Sequence, residues 1–325
     1  MFDLEVISPV LLWTAIAIYA AAFVAYAFDL ARRSQLSADS QTVREAELVG
    51  VGARGAKGAG ASGVSAEPAP QRFVMARIGT SLTVLAFIFH LGATLSRGFA
   101  AGRVPWANLY EFAMIGTLLI IAVYLLMLIK VDLRFLGTFI TGLVLVLLGL
   151  AATNFYVDVT PLMDPLKSVW LVIHVFVASL GTAFFALAFA LSVIQLMQSR
   201  RERLIAEGAE KTGPGFLRTF PGADRLESMA YRLTIIGFIL WTFTLIAGSI
   251  WAYYAWSRFW GFDVKETWTF VIWVLYAGYI HARATRGWRG NPSAWLAIVG
   301  FTAVMFNFTI VNVFFKGLHA YSGLS

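Results

Sequence analysis

Eight long apolar blocks run through this 325-residue chain, at roughly 9–28, 73–95, 109–129, 135–154, 169–197, 233–256, 267–282 and 294–315. A helix needs about 20 apolar residues to cross the hydrocarbon core of a bilayer, and most of the blocks reach that length. The seventh is short, with polar groups at both ends. A soluble bundle of buried helices would need polar outer faces, and these blocks carry almost none. Only 13% of the residues are charged, against about 25% in soluble domains. The expected fold is therefore all-α: a polytopic membrane helix bundle of about eight transmembrane helices, forming one integral domain over 1–325.

The first block follows Asp3 and Glu5 and precedes Arg32 and Arg33, the reverse of a secretory signal. It reads as a retained helix with its N-terminus outside. Basic loops resist export, and segments 30–77, 130–134, 198–232 and 283–293 hold 19 of the 25 Lys and Arg residues. That pattern puts these segments inside and both termini outside. It also assigns the net charge of +7 to topology, with no nucleic-acid partner. Segment 31–72 contains a Gly/Ala-rich stretch too poor in large apolar residues to pack and is expected to be a flexible cytoplasmic loop. Its Gly50-x-Gly52-x-x-Gly55 matches a dinucleotide-binding string, but no strand precedes it and no helix-opening pattern follows. The chain has no cysteine, so it forms no disulfide, thiolate metal site or covalent haem link.

Chemistry concentrates in 251–268, WAYYAWSRFWGFDVKETW, where four Trp, two Tyr and two Phe stand among eighteen residues. Aromatic belts at membrane interfaces explain some of these rings. They do not explain Arg258, Asp263, Lys265 and Glu266 interleaved with them. A large flat apolar ligand with anionic edges would use such a surface, with Trp251, Trp256, Trp260 and Trp268 packing its plane and cations meeting its carboxylates. Non-covalent haem b is such a ligand. An interfacial belt stays open as the alternative.

The four histidines sharpen this reading, because ionisable residues within spans are costly and usually functional and imidazole ligates haem iron. His174, near the start of the fifth block, and His319, after the last, flank the aromatic segment on its own side, as two axial ligands would. His281 lies 13 residues after Trp268, about 20 Å deeper at 1.5 Å per residue. It needs a partner ligand from elsewhere, or else contacts lipid headgroups. His90, about 10 Å below the outer surface by the same rise, is a further candidate without an assigned role.

The segment resembles the pattern W-A-x-x-x-W-G-x-x-W-x-W-D-P-K-E-x-W, met here by Trp251, Ala252, Trp256, Trp260, Asp263, Lys265, Glu266 and Trp268. Ser257, Phe262 and Val264 stand where the pattern has Gly, Trp and Pro. On these residues the chain is similar to the CcsA (ResC) family of cytochrome c biogenesis proteins, in the haem-handling superfamily named for its WWD loop. Arg97, Gly102, Pro105, Asn108, Tyr110 and Glu111, and the Gly317–Tyr321 segment, extend the likeness. The resemblance implies a function in a cytochrome c synthase (haem lyase) complex of the bacterial inner membrane. A CcsB/ResB-type membrane protein would be the partner, and haem would be delivered to the CxxCH thiols of apocytochrome c, kept reduced by other proteins. It also implies His174 and His319 as ligands of an outer haem. His281 would ligate a haem within the membrane whose second ligand comes from the partner. A CcmC-like relative would be shorter, with six spans, and a CcmF-like one much longer. A b-type electron-transfer subunit would place His pairs at matched depth.

Overall fold

In the computed structural model, residues 4–53, 74–209, 211–285, 288–315 and 317–319 are described, the side chains of 36–53 and of Pro165 apart. Helices supply all the regular structure among them: α1 (Leu4–Ala53), α2 (Val74–Ala101), α3 (Leu109–Lys130), α4 (Gly137–Asn154), α5 (Val169–Ala206), α6 (Ala223–Trp256), α7 (Val264–Ala284), α8 (Asn291–Phe308) and the short α9 (Ile310–Phe314), with short 3-10 helices at Arg134–Leu136, Asp164–Leu166 and Gly215–Thr219. Seven segments are long and apolar enough to cross a membrane: Leu4–Gln35, Val74–Ala101, Leu109–Lys130, Arg134–Asn154, Val169–Ala206, Ala223–Trp256 and Asn291–Phe314. The remaining expected span, the seventh block at 267–282, corresponds to α7. It has 21 residues but falls outside that set, because Lys265, Glu266, His281 and Arg283 occupy its ends.

Burial confirms which solvent surrounds the bundle. On α6, Ile239, Phe243 and Ile246 are exposed, while Trp241, Thr244, Ala247 and Trp251 are buried. The outward face is thus apolar and the inward face carries the hydroxyl and the indoles, as suits helices set in lipid, where internal contacts satisfy polar groups. The protein is a multi-pass, all-helical membrane protein.

Packing relies on small residues where helix backbones approach. A Cβ added to Gly181 on α5 would lie 3.3 Å from the Gly237 carbonyl oxygen of α6, and one added to Gly237 would lie 2.7 Å from the Phe185 ring. That ring stacks on Tyr276 of α7 at 3.7 Å between centroids and 4° between planes, joining three helices. At the opposite end of α7, the buried Glu227 carboxylate of α6 lies 2.6 Å from Arg283 Nε and accepts the Gly290 N–H at 2.9 Å. This cluster ties α6 and α7 to the start of α8.

Two expectations about loops change. Helix α1 continues through residues 31–53, because the polar stretch after the apolar block still consists of helix-forming residues; Gly50 and Gly52 therefore end a helix. Gly55 and the rest of the Gly/Ala-rich stretch lie outside the described residues, as do Ala320 and Tyr321. The 251–268 segment is mostly helical as well. Helix α6 runs to Trp256 and α7 begins at Val264, leaving a seven-residue turn. Ser257 closes α6 in the left-handed region at φ 56°, where glycine is the usual residue. Glu266, at the third position of α7, accepts the N–H groups of Gly261 (2.8 Å) and Asp263 (3.1 Å), which satisfies donors that the helix start leaves open.

Candidate functional site

Thr244, Gly248 and Trp251 lie on one face of α6, spaced four and three residues apart, and that face meets His174 of α5. Ser168 caps α5, accepting the Trp170 N–H at 3.2 Å, and His174 follows within two turns. Its Nδ1 lies 3.0 Å from the Thr244 carbonyl oxygen. A carbonyl can only accept, so Nδ1 carries the hydrogen and Nε2 keeps its lone pair. Gly248 makes the approach feasible, since a Cβ there would lie 2.7 Å from His174 Cε1. The imidazole stacks on Trp251 with centroids 5.7 Å apart and planes 20° apart.

Trp251 also meets His319, at 5.3 Å between centroids, and Trp256 packs on the same imidazole at 5.0 Å. The two imidazoles thus share one buried indole and lie no more than about 11 Å apart. His319 Nδ1 donates to Asp263 Oδ2 at 2.7 Å, and the Leu318 N–H donates to Asp263 Oδ1 at 3.2 Å. Gly317 permits this clasp, because any Cβ there would collide with Asp263 Oδ1. The His319 hydrogen bond holds the Asp263 carboxyl below the usual carboxylate range, so it is ionised at neutral pH.

Each imidazole therefore has its Nδ1 tied to an acceptor, while its Nε2 has no hydrogen-bond partner among the described residues. Metal-ligating histidines are oriented in this way, by a carbonyl or carboxylate on the nitrogen that does not ligate. Both rings border a cavity of about 940 Å³, open mouth included, whose lining includes Trp241, Trp251, Phe259 and Trp260.

The structure thus gathers His174, His319, Trp251, Trp256, Trp260 and Asp263 at one end of the bundle. Lys265 and Glu266 also line the cavity, whereas Arg258 is exposed. Trp268, expected on the ligand surface, is instead one turn into α7 and packs on Phe306 at 4.4 Å. His281 is exposed near the far end of α7. His90 is buried on α2, with Nδ1 3.4 Å from Tyr19 Oη of α1, and does not line the cavity. Thr244, Gly248, Gly317 and the Lys265 partner Asn312 were not among the expected site residues. For the first two a signal existed: with Trp251 they fall on one helical stripe.

Residues 106–319, which include both cavity histidines and the whole aromatic segment, match the family described as "Cytochrome C assembly protein". The chain belongs to the CcsA-type cytochrome c assembly family. The protein named cytochrome c biogenesis protein CcsA from Guillardia theta is 32% identical over 262 residues, covering 76% of this chain and 86% of that one. The protein of the same name from Synechococcus elongatus is 32% identical, covering 75% and 87%. Among solved structures, cytochrome c haem lyase CcmF superposes with a TM-score of 0.62 at 15% identity. The match covers 95% of this chain but about half (47%) of CcmF, so it speaks for the fold alone. As a CcsA-type family member, the protein functions in cytochrome c biogenesis.

Proposed function

We propose that the protein binds haem b non-covalently in this cavity, with His174 and His319 as axial ligands, and presents it to apocytochrome c outside a bacterial inner membrane. The observation that carries the reading is the pair of imidazoles, each fixed through Nδ1 and open at Nε2, beside an aromatic cavity. Among the described residues, no group of three or more His, Cys, Asp or Glu could hold a bare metal ion. An iron whose in-plane nitrogens come from a porphyrin needs only two protein ligands, and two are available.

The chain's own residues divide the work. The Thr244 carbonyl and the Asp263 carboxylate hold the two imidazoles in the tautomer that ligates. The Asp263 carboxylate also fixes the orientation of the His319 ring. Trp251 packs against both imidazoles, and Trp260 walls the cavity. Haem would supply the vinyl groups: a CxxCH thiol adds across each, forming an S–C bond and passing its hydrogen to the other vinyl carbon. Charge placement supports an outward-facing site, both termini outside and the basic segments inside. The exposed position of His281, away from the cavity, suits a membrane haem whose second ligand comes from a CcsB/ResB-type partner.

The test is cytochrome c maturation in cells carrying His174→Ala or His319→Ala. Each substitution should abolish maturation, and added imidazole should partly restore it by filling the vacated axial position. Normal maturation in the double variant would contradict the proposal.

A further inference from the structure

A second chamber, of about 520 Å³ including its opening, shares His174, Trp251, Lys265 and His319 with the first and is bordered by Trp106 and Asn108. Two N–H donors in its lining lack an acceptor. Trp106 and Asn108 are 7% and 5% exposed, and Trp106 Nε1 and Asn108 Nδ2 are buried with no hydrogen-bond partner. The other end of the Asn108 amide is committed: Oδ1 accepts the Glu111 N–H and caps α3. Lys265 Nζ donates to Asn312 Oδ1 but forms no salt bridge among the described residues.

The nearby charges do not supply the missing acceptor. Glu111 is shared between Arg97 (2.9 Å) and Arg103 (2.7 Å). Asp263 is held by His319 and Leu318, and Glu266 by the Gly261 and Asp263 N–H groups. Burying two N–H donors without acceptors is costly, and Lys265 beside them has only a neutral amide as its hydrogen-bond partner. A membrane protein that keeps them together has a use for an anionic ligand group there.

Building on the haem reading, we propose that this chamber seats the haem propionates, with Trp106 Nε1, Asn108 Nδ2 and Lys265 Nζ as the donors. The assignment also orients the ligand. Propionates and vinyl groups occupy different edges of the porphyrin, so anchoring the carboxylates beside Trp106 and Asn108 turns the vinyl edge toward the wider cavity at Phe259 and Trp260. That mouth is where a polypeptide thiol could reach it.

The experiment uses the full chain in detergent, titrated with haem and with haem dimethyl ester, whose propionates carry no charge. Trp106→Phe keeps the ring and removes the N–H. Asn108→Asp keeps an oxygen to cap α3 but puts a carboxylate where the donors were. Wild type should bind haem at least about tenfold tighter than the ester, the order expected for one hydrogen bond to a charged group. Each variant should weaken haem binding by about tenfold and leave ester binding unchanged, which also shows that the cavity still folds. Equal haem binding by variants and wild type would overturn the subsite. So would a parallel loss of haem and ester, which would mark both residues as packing elements. Wild type that binds neither compound would overturn the haem reading itself, and the subsite with it.

Discussion

Asp263→Asn removes one negative charge from beside the His319 ring while preserving most of what the side chain otherwise does. The carboxylate accepts hydrogen bonds from His319 Nδ1 at 2.7 Å and from the Leu318 N–H at 3.2 Å, and as the N-cap of α7 it also forms a capping box with Glu266. Asn caps helices about as well as Asp, and its amide oxygen can accept from either donor. What it lacks is the charge assistance to the imidazole. Replacing the hydrogen-bond partner of a ligating histidine costs about 10–100-fold in metal affinity. Asn should sit near the lower limit. Ala, which loses both bonds, should sit near the upper one and also lose about 0.5–2 kcal/mol of helix-cap stability. The assay is the rate at which haem passes from purified protein to an excess of a haem scavenger, measured beside thermal unfolding. The reasoning fails if the Asn variant releases haem at the wild-type rate while the Ala variant releases it faster only in step with its lower stability. Asp263 would then be a helix cap and nothing more.

Gly248→Ala would place a Cβ 2.7 Å from His174 Cε1 and push the ring off the Thr244 carbonyl. Haem retention should fall as far as in His174→Ala although Ala favours the helix by about 1 kcal/mol, and unchanged retention would contradict the tight fit. Ser257→Gly relieves a left-handed conformation, φ 56°, that costs an L-residue about 1–2 kcal/mol. Thermal unfolding should shift upward with haem binding unchanged, and a lower Tm would refute the strain argument. His281→Ala should leave the isolated chain able to take up added haem at the cavity, yet lower the haem carried per complex with the CcsB/ResB-type partner. Equal haem per complex would remove His281 from any relay.

Much of the fold was legible because apolar blocks mark membrane helices by length alone. Their ends were not. The arginine-rich end of α5 and the first two turns of α6 are polar, so hydropathy stops where the helices continue. The aromatic segment looked like a loop because Arg258, Asp263, Lys265 and Glu266 interrupt it, although only the turn between α6 and α7 is non-helical. Of the site, the rings and histidines could be read from their types and spacing. Their supports could not: Thr244 acts through its backbone carbonyl, Gly248 and Gly317 through the absence of a side chain, and Trp106 lies 68 residues before His174. The direction of Trp268 was hidden for the converse reason. Sequence proximity put it with the other indoles, whereas the first turn of α7 rotates it toward α8.

The central claim is that His174 and His319 together ligate one haem iron. Electron paramagnetic resonance of ferric haem bound to the purified chain tests it directly. The account predicts a low-spin bis-imidazole signal in wild type, and a high-spin signal in His174→Ala and in His319→Ala. Added imidazole should return each single variant to low spin. A wild-type low-spin signal that persists unchanged in either single variant would contradict the claim.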